Sequence, residues 1–552
     1  MSASNKKKLR KEQNAISLTE KQKNEQAAAK KLKVYSLTFI AIMLVVVITA
    51  LTIVAVRAID RSGVLQKKTI AATIGDHELN SVEMNYYYGD AVNAQYSEWN
   101  QMYGDDMSMY LSILGVEVSR PLNKQKTASG DKTWAEDFLE KALESAKISY
   151  TLYDMAKAEG LTLTEEQTSD YEASIAQAKL YAIGNGIDDF DEFLKYTYGF
   201  GSDEESYRKY LEVQAIANAY IDAHADALIY DEAAIEAYDA ENYDKLSSYS
   251  FASYFVNYNS YRRGGVENEN GKIEYSEEEL LAARAEAKEV AEELAKVTSV
   301  IEFDKEIAAL DVNKDVENAA SSKAVDILYK DLQTELKDWV SDSSRKEGDV
   351  TVIPVNTAIA DDDDNPDNDI LGYNVVFFRG RNENLRPLAN VRHLLVAFEG
   401  GTYDEASETV VYTDEEKAVA KEKIDGLFAE WQNGEATEDS LIALIEEHSD
   451  DSSAAEGGLF EDVSPESPYV ESFVDWCVDP DRKPGDAEII ESEYGYHIMY
   501  YVSDDEMTYR EYMITNELRN ADMETWYSAI GVDTPFALVN DSKLNLDRTL
   551  LG

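Results

Sequence analysis

The chain has 552 residues, too many for one hydrophobic core at ~150 residues per domain, so several folded units are expected. Its 52 Lys and Arg against 108 Asp and Glu give a net charge of −56, which repels phosphate backbones and excludes a nucleic-acid partner. The single cysteine, Cys477, excludes an intramolecular disulfide scaffold, and its distance from the N-terminus excludes an N-terminal lipoprotein anchor.

Residues 1–33 carry ten basic and three acidic side chains, so the remainder of the chain carries −63. The sign changes across an uncharged run, Val34 to Val56. Its residues, at ~1.5 Å each, reach roughly 34 Å, enough for a ~30 Å hydrocarbon layer. The positive-inside rule places the basic segment in the cytoplasm and everything after Arg57 outside. A cleaved signal peptide is the competing reading. The apolar run is longer than such a peptide needs, its basic leader is long, and no small-x-small site follows, so an uncleaved anchor is expected.

Residues 57–245 read as helical after a short extended opening, AATIGDHELN, with a turn at Gly75-Asp76. Residues 133–167 repeat apolar side chains at helical spacing, with Gly160 as the C-cap and a new helix beginning at Thr162 to Glu165. Tyr86, Tyr87 and Tyr88 are expected in the core rather than on a peptide-binding surface.

From Leu246 to Asp505 the chain is duplicated. Trp339-x-x-Asp342-x-x-Arg345-Lys346-x-Gly348-Asp349-x-x-x-Ile353 recurs, 137 residues later, as Trp476-x-x-Asp479-x-x-Arg482-Lys483-x-Gly485-Asp486-x-x-x-Ile490. The same offset relates the helical stripe Ala283, Ala287, Val290, Leu294 to Ala420, Ile424, Leu427, Trp431. Each copy opens on a strand, Phe251 to Val256 or Val391 to Val396, and closes on another, Gly372 to Phe378 or Gly495 to Tyr501. The unit is of α+β type, with boundaries at 246–387 and 388–505. Residues 506–552 form a C-terminal helical segment with a possible return to the N-terminal helical region.

Three segments of the second copy form one pattern: the strand Val391-Arg392-His393-Leu394-Leu395-Val396, the loop from Ser449 to Gly458, and the strand Tyr494-Gly495-Tyr496-His497-Ile498-Met499, preceded by a Lys-Pro-Gly-Asp turn at Lys483 to Asp486. Together they resemble the parvulin family of peptidyl-prolyl cis/trans isomerases. The resemblance implies a multidomain α+β protein: a single transmembrane helix, a mostly helical chaperone-like domain, and two parvulin-like domains of which the first is degenerate. It resembles the extracytoplasmic parvulin-type chaperones of bacteria. The family pattern carries over to His393, His497 and Asp451 as catalytic residues and to Phe473, with Phe460 and Tyr469, as walls of the proline pocket. In the parvulins two histidines sit side by side on adjacent strands beneath that pocket. The residues alone leave open whether Asp451 acts on the twisted amide or only orders the imidazoles. An N-cap or turn is the competing reading of Asp450-Asp451, and the Gly457-Gly458 that follows favours the site.

Such an enzyme makes and breaks no covalent bond, so no cofactor or metal is expected; its partners are unfolded exported polypeptides containing X-Pro bonds. No basic cluster follows His393, which argues against selection of phosphorylated residues before proline, and the insert from Gly400 to Tyr412 leaves the rim of the groove unassigned. In the first copy, Ser253 and Asn374 stand where the second has His393 and His497, so catalysis is expected to be lost there. Its acidic run Asp361 to Asp369 could bind calcium, but it lacks EF-hand spacing, and a solvated hairpin insertion is the preferred reading. The competing function is a non-catalytic, membrane-anchored holdase or scaffold that uses both copies only to bind chain. A hydrolase has no support: there is neither a GxSxG elbow nor an HExxH motif.

Overall fold

The computed structural model describes residues 4–7, 20–356, 370–404 and 409–551. They divide into two units, Met1–Leu228 with Met523–Gly552, and Ile229–Asp522. The acidic run Asp361 to Asp369, raised above as a calcium candidate, lies outside the described residues, as do residues 1–3 and 8–19 of the basic leader.

In the first unit, helix α1 (Glu20–Arg61) contains a 24-residue stretch, Thr38–Arg61, long and apolar enough to cross a membrane. Its apolar side chains are exposed, Leu44 to 56% and Val54 to 64%, where those of a soluble core helix would be covered. Strands β1 (Ile70–Ile74) and β2 (His77–Asn80) form the expected antiparallel pair about the Gly75-Asp76 turn. Helix α2 (Ser81–Tyr103) begins on a reciprocal capping box: Asn80 Oδ1 accepts from the Val82 and Glu83 N–H groups, and the Glu83 carboxylate accepts from the Asn80 N–H. It carries Tyr86, Tyr87 and Tyr88 into the core, where Tyr86 stacks on Tyr210 with ring centroids 5.2 Å apart. Asp90 accepts from the Tyr198 and Tyr210 hydroxyls, and its burial raises its pKa. Helix α3 (Trp134–Glu159) stops at Gly160, at φ 77°, and the next helix starts from a Thr164 cap. Helix α4 (Glu204–Asp226) packs beside α2 and α3 through Tyr210 and Val213.

The C-terminal segment is not uniformly helical as expected. A helix covers Tyr509–Ala529, Gly531 turns at φ 72°, and after Pro535 the strand Phe536–Leu538 pairs antiparallel with β1. Proline cannot supply the N–H that a continuing helix needs, and the free edge of β1 offers the chain an alternative ladder. Leu544 and Leu550 then join the core of α2 and α3.

The second unit holds two sheets of identical topology. The first has the order β6-β3-β8-β7, from β3 (Ser248–Asn257), β6 (Ser322–Leu328), β7 (Val350–Asn356) and β8 (Ile370–Asn382); β4 (Val266–Glu267) and β5 (Ile273–Glu274) form a separate hairpin. The second sheet has the order β12-β9-β14-β13, from β9 (Pro387–Ala397), β12 (Leu459–Val463), β13 (Ala487–Glu491) and β14 (Gly495–Thr508), with a hairpin of β10 (Thr402–Asp404) and β11 (Thr409–Val411). The boundaries expected at 245, 388 and 505 shift slightly. Residues 229–245 group with this unit, and β14 runs to Thr508 because Thr508 still pairs with Pro387.

The repeated motif has a structural reason. Arg345 lies 4.2 Å over the Trp339 ring and Arg482 lies 4.4 Å over Trp476, each also donating Nε–H to the carbonyl of its tryptophan. In both turns the aspartate carboxylate, Asp349 or Asp486, accepts the lysine N–H three residues earlier, and Gly348 or Gly485 takes φ near 90°. Register extends the duplication to the strands: Asn374 pairs with Phe255 and Ile353, as His497 pairs with Leu395 and Ile490.

The insert at Gly400 to Tyr412 is the β10/β11 hairpin, and β4/β5 is its counterpart. Each is clamped by a glutamate of the following helix: Glu279 of α5 (Glu277–Leu294) accepts the Gly265 N–H at 3.1 Å, and Glu416 of α6 (Asp414–Asn433) accepts the Gly401 N–H at 2.9 Å. The helical stripes sit as spaced, except that Ala291 rather than Val290 is fully buried in α5.

Candidate active site

The second sheet is covered on both faces. Leu394, Val396 and Ile498 pack under α6 and α7 (Glu438–His448), while Val391, Met499 and Tyr501 face α8 (Glu471–Cys477). Strand alternation therefore puts His393 on the α8 face. His497 lies on the neighbouring central strand, two residues from Met499, the direct cross-strand partner of His393. This diagonal brings the imidazoles together at 5.3 Å between centroids and 20° between planes, with Nδ1 to Nδ1 at 3.0 Å. Both side chains are buried.

Each ring has a second partner at its other nitrogen. His497 Nε2 lies 2.7 Å from Ser492 Oγ, which also accepts the Tyr494 N–H at 3.1 Å. His393 Nε2 faces Asp451 Oδ1 and Ser453 Oγ, each at 3.5 Å. Contact with His393, followed by hydrogen bonds from the Ser453 hydroxyl and N–H, holds the Asp451 carboxyl well below the usual carboxylate range despite partial burial. Burial and the neighbouring His393 push His497 down to about 4. At neutral pH, then, Asp451 is ionised and His497 neutral. A Nδ1 to Nδ1 hydrogen bond needs one donor and one acceptor. His393 Nε2–H points at the Asp451 carboxylate, and where Ser492 donates to His497 Nε2, His497 Nδ1–H donates to His393 Nδ1.

The loop that carries Asp451 is built by local chemistry. Asp451 accepts the Ser453 N–H at 2.9 Å and so caps the short 3₁₀ turn Ser452–Glu456, which Gly457 ends at φ 68°. The cap reading and the site reading therefore describe the same carboxylate. Asp450 serves the strand instead, its Oδ2 accepting the Ala397 N–H at 3.0 Å.

Above the imidazoles stand the three aromatic residues named from sequence. Phe460 and Phe473 meet the His393 ring edge-on at 4.9 and 5.3 Å, Phe473 lies 6.2 Å from His497, and Tyr469 packs on both phenylalanines. Phe473 is buried, Phe460 half-buried and Tyr469 40% exposed, so the cluster opens outward at the tyrosine. All six residues singled out from the sequence are together. Sequence reasoning missed two others: Ser453, which stood inside the quoted loop, and Ser492, whose only signal is its place in the tight turn before His497. His77, His224 and His448 lie elsewhere: His77 pairs with Asp154 and His224 stacks on Trp526. Cys477, in the floor under Phe473, is buried and its thiol is pushed up to about 12. Among the described residues no group of three or more His, Cys, Asp or Glu side chains could hold a metal ion.

A four-stranded antiparallel sheet with paired histidines on its central strands and an aromatic cluster above them is the arrangement of a parvulin-type domain. Residues 393–503 match the family described as Rotamase: PPIC-type PPIASE domain, so the chain carries a parvulin-type peptidyl-prolyl isomerase domain. Among solved structures it is similar to the peptidylprolyl isomerase PrsA of Bacillus cereus, at 21% identity over 30% of this chain and a TM-score of 0.18, and it spans 59% of that protein. PrsA of Bacillus subtilis is 13% identical over 74% of this chain and 90% of its own, with a TM-score of 0.25. A structure from the study of PEB4 and Cj1289, two SurA-like chaperones of Campylobacter jejuni, is 15% identical over 43% and 78% of the two chains, with a TM-score of 0.15. No curated protein sequence matches the chain.

Proposed function

We propose that this protein is a membrane-anchored folding factor that catalyses cis/trans isomerisation of X-Pro bonds in exported polypeptides outside the cytoplasmic membrane. The observation that carries the reading is the buried His393–His497 contact at 3.0 Å, set beside an ionised Asp451 and beneath Phe460, Tyr469 and Phe473.

Rotation about a peptide bond meets a barrier of ~18–20 kcal/mol, while the two X-Pro isomers differ by only ~0.5–1 kcal/mol. A catalyst need only favour the twisted amide over both planar forms. The aromatic walls supply a dry slot for the pyrrolidine ring. Within it the planar, more polar amide loses the solvation that water gives it, which narrows its gap to the twisted form. The imidazole pair holds the floor beneath the aromatic residues rigid and fixes which nitrogens carry protons.

The basic N-terminal segment followed by the exposed apolar helix Thr38–Arg61 supports an anchor with the N-terminus in the cytoplasm and the bulk of the chain outside. The helical domain and the first sheet, with Ser253 and Asn374 in place of the histidines, read as parts that hold a client. The test is acceleration of cis/trans exchange in a proline peptide by the fragment after Arg57. A folded fragment that gives no acceleration would remove the enzymatic half of this reading and leave a holdase.

A further inference from the structure

We infer that the second unit carries, besides the isomerase slot, a groove for a short extended stretch of polypeptide bearing basic side chains. A cavity of about 700 Å³ lies between the two sheets, bordered by Val325–Leu328 of β6, Val463 of β12 and the connecting residue Arg386. The bulge at Asp326 breaks the alternation of side chains, so four consecutive residues of β6 border the cavity, which also reaches Ser248 of β3 and Asn382 of β8. β6 is an edge strand, hydrogen-bonded to β3 alone, so its outer N–H and C=O groups are directed at this space. That is the geometry of strand addition, in which backbone pairing gives affinity and alternate side-chain positions give preference.

The charge of the lining selects the occupant. It includes Asp326, Asp331 and Asp475, while Glu466 is already paired with Lys330 and accepts the Tyr509 hydroxyl; the one cation among the described lining residues, Arg386, donates to the carbonyls of Cys477 and Asp479. An incoming segment with Lys or Arg between apolar residues would place cations beside those carboxylates and apolar side chains against Val325 and Val463. A bulge at Asp326, with φ 50°, shortens the free edge, which suits a few residues of client rather than pairing with the sheet of a second copy. The assignment rests on this protein handling unfolded polypeptide but not on its isomerase activity. The groove would keep a client bound while its prolines visit the slot.

The experiment measures binding of a labelled, proline-free peptide of alternating Val and Lys to the full chain in lipid nanodiscs, by fluorescence anisotropy. Asp331→Lys and Val325→Pro should each weaken binding at least tenfold while turnover of a proline peptide stays at the wild-type rate; His497→Ala should do the reverse. Unchanged affinity in both groove variants, or equally tight binding of an alternating Val and Glu peptide, would overturn the inference. So would self-association of the chain that Val325→Pro abolishes and the peptide does not disturb. Should Val325→Pro fail to fold, Asp331→Lys decides alone.

Discussion

The Gly458 carbonyl accepts the His393 N–H at 3.0 Å, and a Cβ at Gly458 would stand 2.3 Å from the His393 oxygen. The loop that carries Asp451 can therefore lie against the histidine strand only because residue 458 has no side chain. Its φ of 63° adds a conformational demand that L-residues meet poorly. Gly458→Ala should destabilise the domain by about 1–3 kcal/mol. Gly485→Ala, at φ 93° with nothing within 4 Å of its Cβ, should cost only the backbone strain. Urea denaturation of both variants tests the difference; equal losses would mean that the close approach to His393 is not what constrains residue 458.

His497→Ala leaves His393 Nδ1 without its partner in a buried site and takes the imidazole away from Ser492 Oγ, which keeps the Tyr494 N–H. The loss of a buried hydrogen-bond partner costs about 1–3 kcal/mol of stability. Isomerase kcat/KM should fall by about tenfold, equivalent to ~1.4 kcal/mol of transition-state stabilisation. Suppression of client aggregation should be unchanged, because no client-holding surface is altered. If aggregation suppression falls in parallel with turnover, the two activities are not separable.

Ser492→Ala removes the hydroxyl at 2.7 Å from His497 Nε2 while leaving both imidazoles in place. It should lower turnover by about threefold to tenfold, the range expected for one hydrogen bond of roughly 1 kcal/mol, and shift the NMR signals of the His497 ring nitrogens. A wild-type nitrogen spectrum in the variant would show that Ser492 does not set the tautomer.

His497 and Asp451 act in the same direction with pH. His497 is held at about 4 against an ordinary value near 6.5, so the unfolded chain binds the extra proton first as the solution is acidified. The stability that its neutral form contributes is complete above pH 6.5 and is lost progressively down to about pH 4, up to about 3 kcal/mol. Asp451, whose folded value is depressed below the ordinary carboxylate, adds stability present above its unfolded pKa and lost at still lower pH. Turnover should therefore fall near pH 4, where a second proton on His497 disrupts the Nδ1 to Nδ1 bond. Activity that stays unchanged through pH 4 while the domain remains folded would mean that the neutral form of His497 is not required.

Peptides with phosphoserine before proline should be turned over no faster than those with alanine at that position. The chain following His393 runs through Ala397, Phe398, Glu399 and Gly400 and presents no cationic cluster to a phosphate. A kcat/KM ratio above about ten in favour of the phosphopeptide would indicate a cation brought in from another segment.

Local chemistry in the sequence determined where elements begin and end and which residue types each face carries. Gly160 and Thr164 delimit two helices, and the Trp-to-Ile motif marks two equivalent turns, whereas His393, Asp451 and His497 are picked out only by the family resemblance. The helix ends and turns are written in neighbours a few residues apart, where backbone preference and side-chain period suffice. Tertiary structure alone decided what depends on pairing between distant segments: the diagonal register that brings the two Nδ1 atoms together, the return of Phe536–Leu538 to β1, the selection of Ser492 as the second partner of His497, and the cavity along the open edge of β6. A strand's alternation says which face a side chain takes, but which residue lies opposite is settled only when two strands a hundred residues apart bury their apolar faces in common.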